Sequence, residues 1–302
     1  MKNMITIFTP TYNRKELLKR CYDSLRRQTD KKFEWLIIDD GSVDNTEELV
    51  DELMNEADFD IRYIFQNNGG KHRAFNLAVR ECKTEFLLIL DSDDMLTNNA
   101  IELLNEKCKL IHNNDKVCGV IGNRADINDG IIIGTKIPDV LVASGLELYQ
   151  KMNFRGDTLR LYKTDVLKRY PFPEIEGEKF VSENVVFDKI DQEYKMLVIP
   201  DIIYLCEYQE SGLSNNIDKI NFENPIGHML SLKSAAETAI TLRKRIGSTA
   251  LYILWAKRFH INNSFRNFGD KFMYVVCTPL SFALRILKYP KAYFDIPEES
   301  SL

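Results

Sequence analysis

Short apolar runs alternate with stretches of helical periodicity through the first 125 residues. Met4 to Thr9 reads as a buried strand, and Arg14 to Gln28 as a helix carrying Leu17, Leu18, Cys21 and Leu25 on one face. Phe33 to Asp39, Ile61 to Phe65 and Phe86 to Leu90 repeat the strand pattern, with helices between them to about Asn55 and Cys82. Each strand-helix step takes roughly 20 to 30 residues, the rhythm of βαβ units with right-handed crossovers. The pattern predicts an open α/β sheet.

Further along, Lys116 to Ile121 and Ile131 to Thr135 read as strands. Pro171-Phe172-Pro173 and Gly177 mark a long loop before a helix from about Ser182 to Gln192. Met196 to Ile199 and Ile202 to Leu205 read as strands broken at Pro200-Asp201. From Asn224 to about Tyr289 the pattern is helical, interrupted near Gly247 and at Pro279. No internal repeat is visible. These shifts place a boundary near residue 220, with residues 1–220 forming the α/β unit and 221–302 a helical extension.

Composition narrows the class. With 302 residues, 44% of them hydrophobic and 28% charged, the chain is long enough for a full core, and disorder and fibrous repeats are excluded. Six cysteines stand singly, without a CxxC pair, which fits neither a zinc knuckle nor a disulfide framework. Met1-Lys2-Asn3 leads straight into the first strand, so the expectation is a chain without a leader, reduced thiols and a cytoplasmic protein. The net charge of −5 is unevenly spread: Ile240 to Lys291 holds ten Lys/Arg and one acid, leaving −14 for the rest. An acidic body argues against nucleic acid as a partner, and the basic tail points at something anionic.

Ligands of open α/β sheets bind outside the carboxyl ends of the strands. Four polar clusters stand there: Thr9-Pro10-Thr11-Tyr12-Asn13-Arg14, Asp39-Asp40-Gly41-Ser42, Asn67-Asn68-Gly69-Gly70-Lys71-His72-Arg73 and Asp91-Ser92-Asp93-Asp94. The last puts three carboxylates within four residues, a crowding that a hard divalent cation such as Mg2+ or Mn2+ compensates; the plainer use is an Asx turn capping a helix near Thr97. Gly69-Gly70 opens a helix with Lys71 and Arg73 beside free backbone N–H groups, a seat suited to a diphosphate, or else a glycine turn with solvated cations. Tyr12 can stack on a base, and Asp39 or Asp40 can accept from a base N–H. Neither GxGxxG nor GxxxxGK[ST] occurs.

Thr9-Pro10-Thr11-Tyr12-Asn13-Arg14, Asp39-Asp40-Gly41-Ser42-Val43-Asp44-Asn45-Thr46 and Asp91-Ser92-Asp93-Asp94, in this order and spacing, resemble the inverting family 2 glycosyltransferases of GT-A fold, over roughly residues 1 to 125. The resemblance implies a Rossmann-like open mixed sheet flanked by helices, with residues 1–125 as the nucleotide-binding half and 126–220 as the acceptor half. It implies that Pro10, Thr11, Tyr12 and Asp40 hold the nucleobase and nearby ribose, and that Asp91 and Ser92 lie near the ribose. Asp93, with Asp91, would bind Mn2+ or Mg2+ at the donor diphosphate, and Asn68 and Lys71 would lie along the donor. Many members carry Arg just before the residue matching Asn76; Phe75 stands here, leaving Lys71 or Arg73 as the phosphate cation.

An inverting transfer needs a base to deprotonate the acceptor hydroxyl. The family's downstream acidic pair matches Gly177-Glu178-Lys179-Phe180-Val181-Ser182-Glu183-Asn184, which makes Glu183 the expected base and Glu178 the second choice. Tyr208 to Ser214 resembles the loop that closes over the donor; it lacks the His that completes the metal shell in relatives, and His228, the nearest, reads as an ordinary helix residue. The implied partners are a nucleotide-sugar donor, a UDP-sugar by preference, and a glycan or lipid-linked acceptor in cell-surface polysaccharide synthesis.

The tail adds one expectation. Phe272 to Leu284 is uncharged and mostly apolar, shorter than the ~20 residues of a membrane span, and flanked by Lys257, Arg258, Arg266, Lys271, Arg285, Lys288 and Lys291. It suits peripheral contact with an anionic inner-membrane face, the alternatives being a packed helical cap or a homodimer contact. Two other functions compete with transfer. A GT-A-like nucleotidyltransferase would want a glycine-rich basic signature near the N-terminus, which Pro10 to Arg14 is not. A non-catalytic nucleotide- or glycan-binding scaffold would not need Asp91, Asp93 and Glu183 together.

Overall fold

In the computed structural model, which describes residues 4–207, 216–261 and 264–287, nine strands form one mixed sheet between two layers of helices. The first half alternates β1 (Ile5–Thr11), α1 (Lys15–Arg26), β2 (Phe33–Asp39), α2 (Thr46–Glu56), β3 (Asp60–Phe65), α3 (Lys71–Glu81) and β4 (Phe86–Ile89). β1 pairs in parallel with β2 and β4, and β2 with β3. Four parallel strands with helical crossovers need cover on both faces, which is why β2, inside the set, is buried along its whole length.

The second half adds β5 (Met95–Leu96), α4 (Ala100–Ile111), β6 (Val117–Asp126), β7 (Val142–Ala143), α5 (Gly145–Gln150), β8 (Thr158–Lys163), α6 (Thr164–Leu167), α7 (Asn184–Glu193) and β9 (Lys195–Cys206). The sheet order is β3-β2-β1-β4-β8-β6-β9-β5, with β7 on β9. β8 runs antiparallel between β4 and β6, joining the two halves into one sheet. One core layer packs Leu18, Cys21, Leu25, Val50 and Leu104 against the sheet, and the other packs Ala74, Phe75, Val166, Phe187 and Ile190. α8 (Ile217–Glu223), α9 (Pro225–Glu237), α10 (Leu242–Arg258), α11 (Ser264–Asn267) and α12 (Lys271–Leu287) follow, with smaller cores around Met229, Tyr252, Trp255 and Phe268 and around Ile253, Met273 and Cys277.

Several local expectations change. Ile131 to Thr135 is not a strand; a single bridge joins Ile132 to Ala125. The strand expected to end at Ile121 continues to Asp126. The two strands expected either side of Pro200-Asp201 are one, because a bulge between the Gly122–Ile199 and Arg124–Tyr204 pairs takes up the extra residues, and Pro200 sits exposed in it without a ladder bond to lose. The helix expected near Thr97 begins slightly later: Met95–Leu96 pair with β9 first, and α4 starts at Ala100. α10 runs through Gly247 and α12 through Pro279, and among the described residues the helical region is interrupted at Thr238 to Thr241, at Phe259 to Ile261 and at Phe268 to Asp270 instead. β8 and the short α5, whose Ser144–Glu147 capping box closes its first turn, were not anticipated.

Candidate active site

The carboxyl ends of β1, β2, β3 and β4 open on one side of the sheet, and the loops that follow them are tied to one another. The Asn13 side chain accepts from the Val43 N–H (2.8 Å) while its own amide donates to Ser42 Oγ (2.9 Å), with Asn13 in the left-handed region that asparagine tolerates. Lys15 N–H donates to Asp44 (3.0 Å). The loop after β1 is thus clasped to the loop after β2. Pro10 and Thr11 close β1, Thr11 being buried, and Tyr12 stands 48% exposed at the rim.

Asp40 organises the third loop. Its carboxylate accepts from the Gly69 and Gly70 amides (2.9 and 2.7 Å), from Gln66 Nε2 (2.6 Å) and from Asn68 Nδ2 (3.1 Å). The two glycine amides left free for phosphate in the sequence analysis are therefore occupied by Asp40. Asp39, one residue earlier, accepts from the Ser42 amide and Tyr63 Oη. Gly70 has φ +94°, and a Cβ there would lie 1.8 Å from the Lys179 carbonyl oxygen, so only glycine allows this loop to touch the 171–183 segment. Lys179 Nζ closes the same contact on Asn68 Oδ1 (2.7 Å).

The fourth loop carries the carboxylates. Asp91 Oδ1 lies 2.8 Å from Lys71 Nζ, and Lys71 Nζ lies 3.1 Å from Glu183 Oε1. Burial would lower the Lys71 pKa, but Asp91 and then Glu183 outweigh it and raise it. Burial likewise works to raise the Asp91 pKa, and Lys71 and Arg124 reverse this, holding it below the usual carboxylate range. Asp93 Oδ2 is paired with Arg14 (2.9 Å), and its carbonyl accepts from Arg20 (2.7 Å). Ser92 is buried between them in sequence.

Lys71 and Arg73, the two candidates for the phosphate cation, diverge. Lys71 faces Asp91 and Glu183, whereas Arg73 turns to the Ile175 carbonyl (2.7 Å) and Glu174. Phe75 packs edge-on against Phe8, Phe172 and Phe187 in the core. Glu183 stands at the N-cap position of α7 without a side-chain capping bond, its side chain 54% exposed. Glu178 is not at the site: it is buried, and both its oxygens accept the Ile226 and Gly227 amides at the start of α9 (2.7 Å each), a structural use of an acid at a helix N-terminus. His228 stands edge-on to Trp255 (4.9 Å), its pKa pushed down to about 4 by burial. Tyr208 to Ser214 lies outside the described residues.

A layer beneath this loop is not legible in the motifs. Tyr204 Oη donates to Asp94 (2.6 Å) and accepts from the Asp91 amide (3.2 Å), and the Arg124 guanidinium lies 4.2 Å over the Tyr204 ring and 3.6 Å from Asp94. These side chains come from the ends of β6 and β9; the extension of β6 past Ile121 was the signal for Arg124, whereas Tyr204 already stood in the strand expected over Ile202 to Leu205. They fix the backbone of Asp91 to Asp94 from below, while Lys71 and Arg14 hold its side chains from above.

A mixed sheet of this order, with tethered loops and clustered carboxylates at the carboxyl ends of its parallel strands, is the architecture of a GT-A glycosyltransferase. The family model "Glycosyl transferase family 2" matches residues 6–170, more than half of the chain, and the chain belongs to that family: it is a glycosyltransferase. The glycosyltransferase GlyG of Streptococcus pneumoniae is 26% identical over 246 residues, covering 77% of this chain and 80% of GlyG. The teichoic acid poly(glycerol phosphate) polymerase of Staphylococcus epidermidis is 36% identical over 106 residues, 35% of this chain but only 15% of the polymerase. Among solved structures, S. aureus TarS 1-349 superposes with a TM-score of 0.56 at 18% identity, covering 95% of this chain and 92% of that one. The same TarS piece in complex with UDP-GlcNAc gives 0.56 at 19% identity, covering 86% and 82%.

Proposed function

We propose that this chain transfers a sugar from a nucleotide-sugar donor, a UDP-sugar by preference, to a hydroxyl of a glycan or lipid-linked acceptor in cell-surface polysaccharide synthesis, by single displacement with inversion. The observation that carries the reading is the Asp91–Lys71–Glu183 chain of contacts, 2.8 and 3.1 Å, which sets one carboxylate of the donor loop and one exposed carboxylate across a single ammonium. The UDP-GlcNAc complex of the TarS piece supports the donor class.

In this reading Tyr12 stacks on the base at the rim, Pro10 and Thr11 line its floor, and Asp40 shapes the loop that Asn68 and Lys71 extend along the donor. Lys71 and Arg14 are the cations within reach of the diphosphate. Glu183 takes the proton from the acceptor hydroxyl as its oxygen attacks the anomeric carbon and the bond to the nucleoside diphosphate breaks.

Asp91 and Asp93 suit a divalent cation of the Mn2+ or Mg2+ kind: both offer hard carboxylate oxygens, and such ions are usually held by one or two carboxylates together with substrate phosphates. Among the described residues no group of three His, Cys, Asp or Glu is placed to hold a metal, so substrate oxygens would complete the shell. When bound, the ion stabilises negative charge on the departing diphosphate. Six free, buried thiols support a cytoplasmic setting, and among the described residues no helix is long and apolar enough to cross a membrane.

Glu183→Gln tests the assignment. It should leave UDP binding near wild type and lower transfer by roughly 100-fold or more, the size of a lost general base. Full transfer by the variant would remove Glu183 as the base.

A further inference from the structure

α12 is amphipathic in an unusual sense: its apolar side faces outward. Phe272, Val275, Val276, Pro279, Ile286 and Leu287 fall within one half of the helix perimeter and are all exposed, Phe272 by 75% and Leu287 by 83%. The opposite side, Met273, Cys277 and Ser281, is buried, with Met273 and Cys277 packed on Ala250 and Ile253 of α10. A 17-residue helix is about 25 Å long, short of the ~30 Å hydrocarbon core. It can lie in an interface but not cross one.

Beside this stripe, α10 and α12 enclose a groove of about 190 Å³ lined by Lys257, Arg258, His260, Phe282 and Arg285. Lys257 Nζ lies 3.9 Å over the Phe282 ring, so the groove joins a cation to the apolar stripe directly. Burial and then the neighbouring Arg285 lower the Lys257 pKa, as expected where cations are gathered. Basic groups beside an exposed apolar helical face suit an anionic bilayer surface, whose phosphates lie level with a helix embedded in the interface.

We propose that the α10–α12 face is an anionic-lipid docking site, with the α12 stripe inserted among the acyl chains and lipid phosphate held in the groove by Lys257, Arg258 and Arg285. A second copy of the chain fits less well, because a symmetric contact through this face would bring its cations together, and like charges disfavour association. The proposal goes beyond the transferase reading and does not depend on it.

The test is co-sedimentation of the full 302-residue chain with vesicles of phosphatidylcholine alone and of phosphatidylcholine mixed with phosphatidylglycerol. Binding should require phosphatidylglycerol and weaken with salt. Lys257→Gln with Arg285→Gln should weaken it roughly 30-fold, from two charges near the surface. Phe272→Ser with Ile286→Ser should weaken it at low and high salt alike, and both double variants should keep the wild-type melting temperature and UDP affinity. Failure to bind phosphatidylglycerol vesicles, or equal binding by wild type and both variants, overturns the proposal. So does a dimer that Phe272→Ser dissociates without any vesicle binding, or inorganic phosphate binding in the groove without it. Vesicle binding without any nucleotide binding would leave this site standing and sink the transferase reading.

Discussion

Lys71 and Glu183 meet at 3.1 Å although one opens α3 and the other stands just before α7. The contact exists because two loops are pressed together: Gly70 lets the Lys179 carbonyl approach the turn before α3, and Asn68 accepts from Lys179 on the same side. The ammonium then reaches back to Asp91. A donor loop, a candidate phosphate cation and a candidate base are therefore one mechanical unit.

Lys71→Met should uncouple that unit. Asp91 and Glu183 would lose their shared counter-charge and the donor one cation; hydrogen bonds to charged groups are worth about 1.5–3 kcal/mol, so UDP affinity should fall on the order of tenfold to a hundredfold. Turnover should drop further, since Glu183 also loses the contact that positions it. Titration calorimetry and a transfer assay on the same variant measure both, and wild-type values for both would show that Lys71 serves neither role.

Gly70→Ala tests the loop contact. With φ at +94° and a Cβ directed onto the Lys179 carbonyl, the variant must move the 171–183 segment away. Backbone strain of this kind costs about 1–3 kcal/mol, so the melting temperature should fall by several degrees and transfer should fall with it. A variant as stable and active as wild type would mean the two loops need not touch.

Asp188 gives a pH dependence that bears on folding alone. It lies one turn into α7, where burial and then Asp191 push its carboxyl up to about 6 from an ordinary value of 3.8. The folded state therefore binds this proton more tightly than the unfolded chain. The stability it contributes is greatest below about pH 4, declines as pH rises, and is lost above about pH 6. Asp188→Asn should flatten that part of the profile and raise stability near neutrality by at most about 3 kcal/mol. Urea unfolding across this range measures it; an unchanged slope would assign the dependence to other groups.

What the sequence revealed, and what it hid, follows from how each residue is used. β1, β2 and β4 were legible because they are buried on both faces and read as unbroken apolar runs ending in polar loops. β8 was hidden because its Arg160 is enclosed with Asp191 (3.5 Å) and Tyr162 (2.8 Å), so a charge that reads as a surface position lies inside. Pro200 suggested a break where a bulge absorbs it. At the site, the loop residues were nameable from their motifs, but their pairing was not: nothing in the spacing says that Lys71 turns to Glu183 while Arg73 turns away, or that Asp40 takes up the glycine amides. Arg124 escaped because β6 runs past the apolar pattern, and Tyr204 because an apolar-looking strand position does not show that its hydroxyl meets Asp94.

Calorimetric titration decides whether a nucleotide-sugar site is built on Asp91 and Asp93. UDP, GDP, CDP and dTDP would each be titrated with and without Mn2+, into wild type and Asp93→Ala. UDP should bind selectively, and Mn2+ should strengthen its binding in wild type but not in Asp93→Ala. No binding of any of the four nucleotides, with or without the metal, would mean that no such site exists.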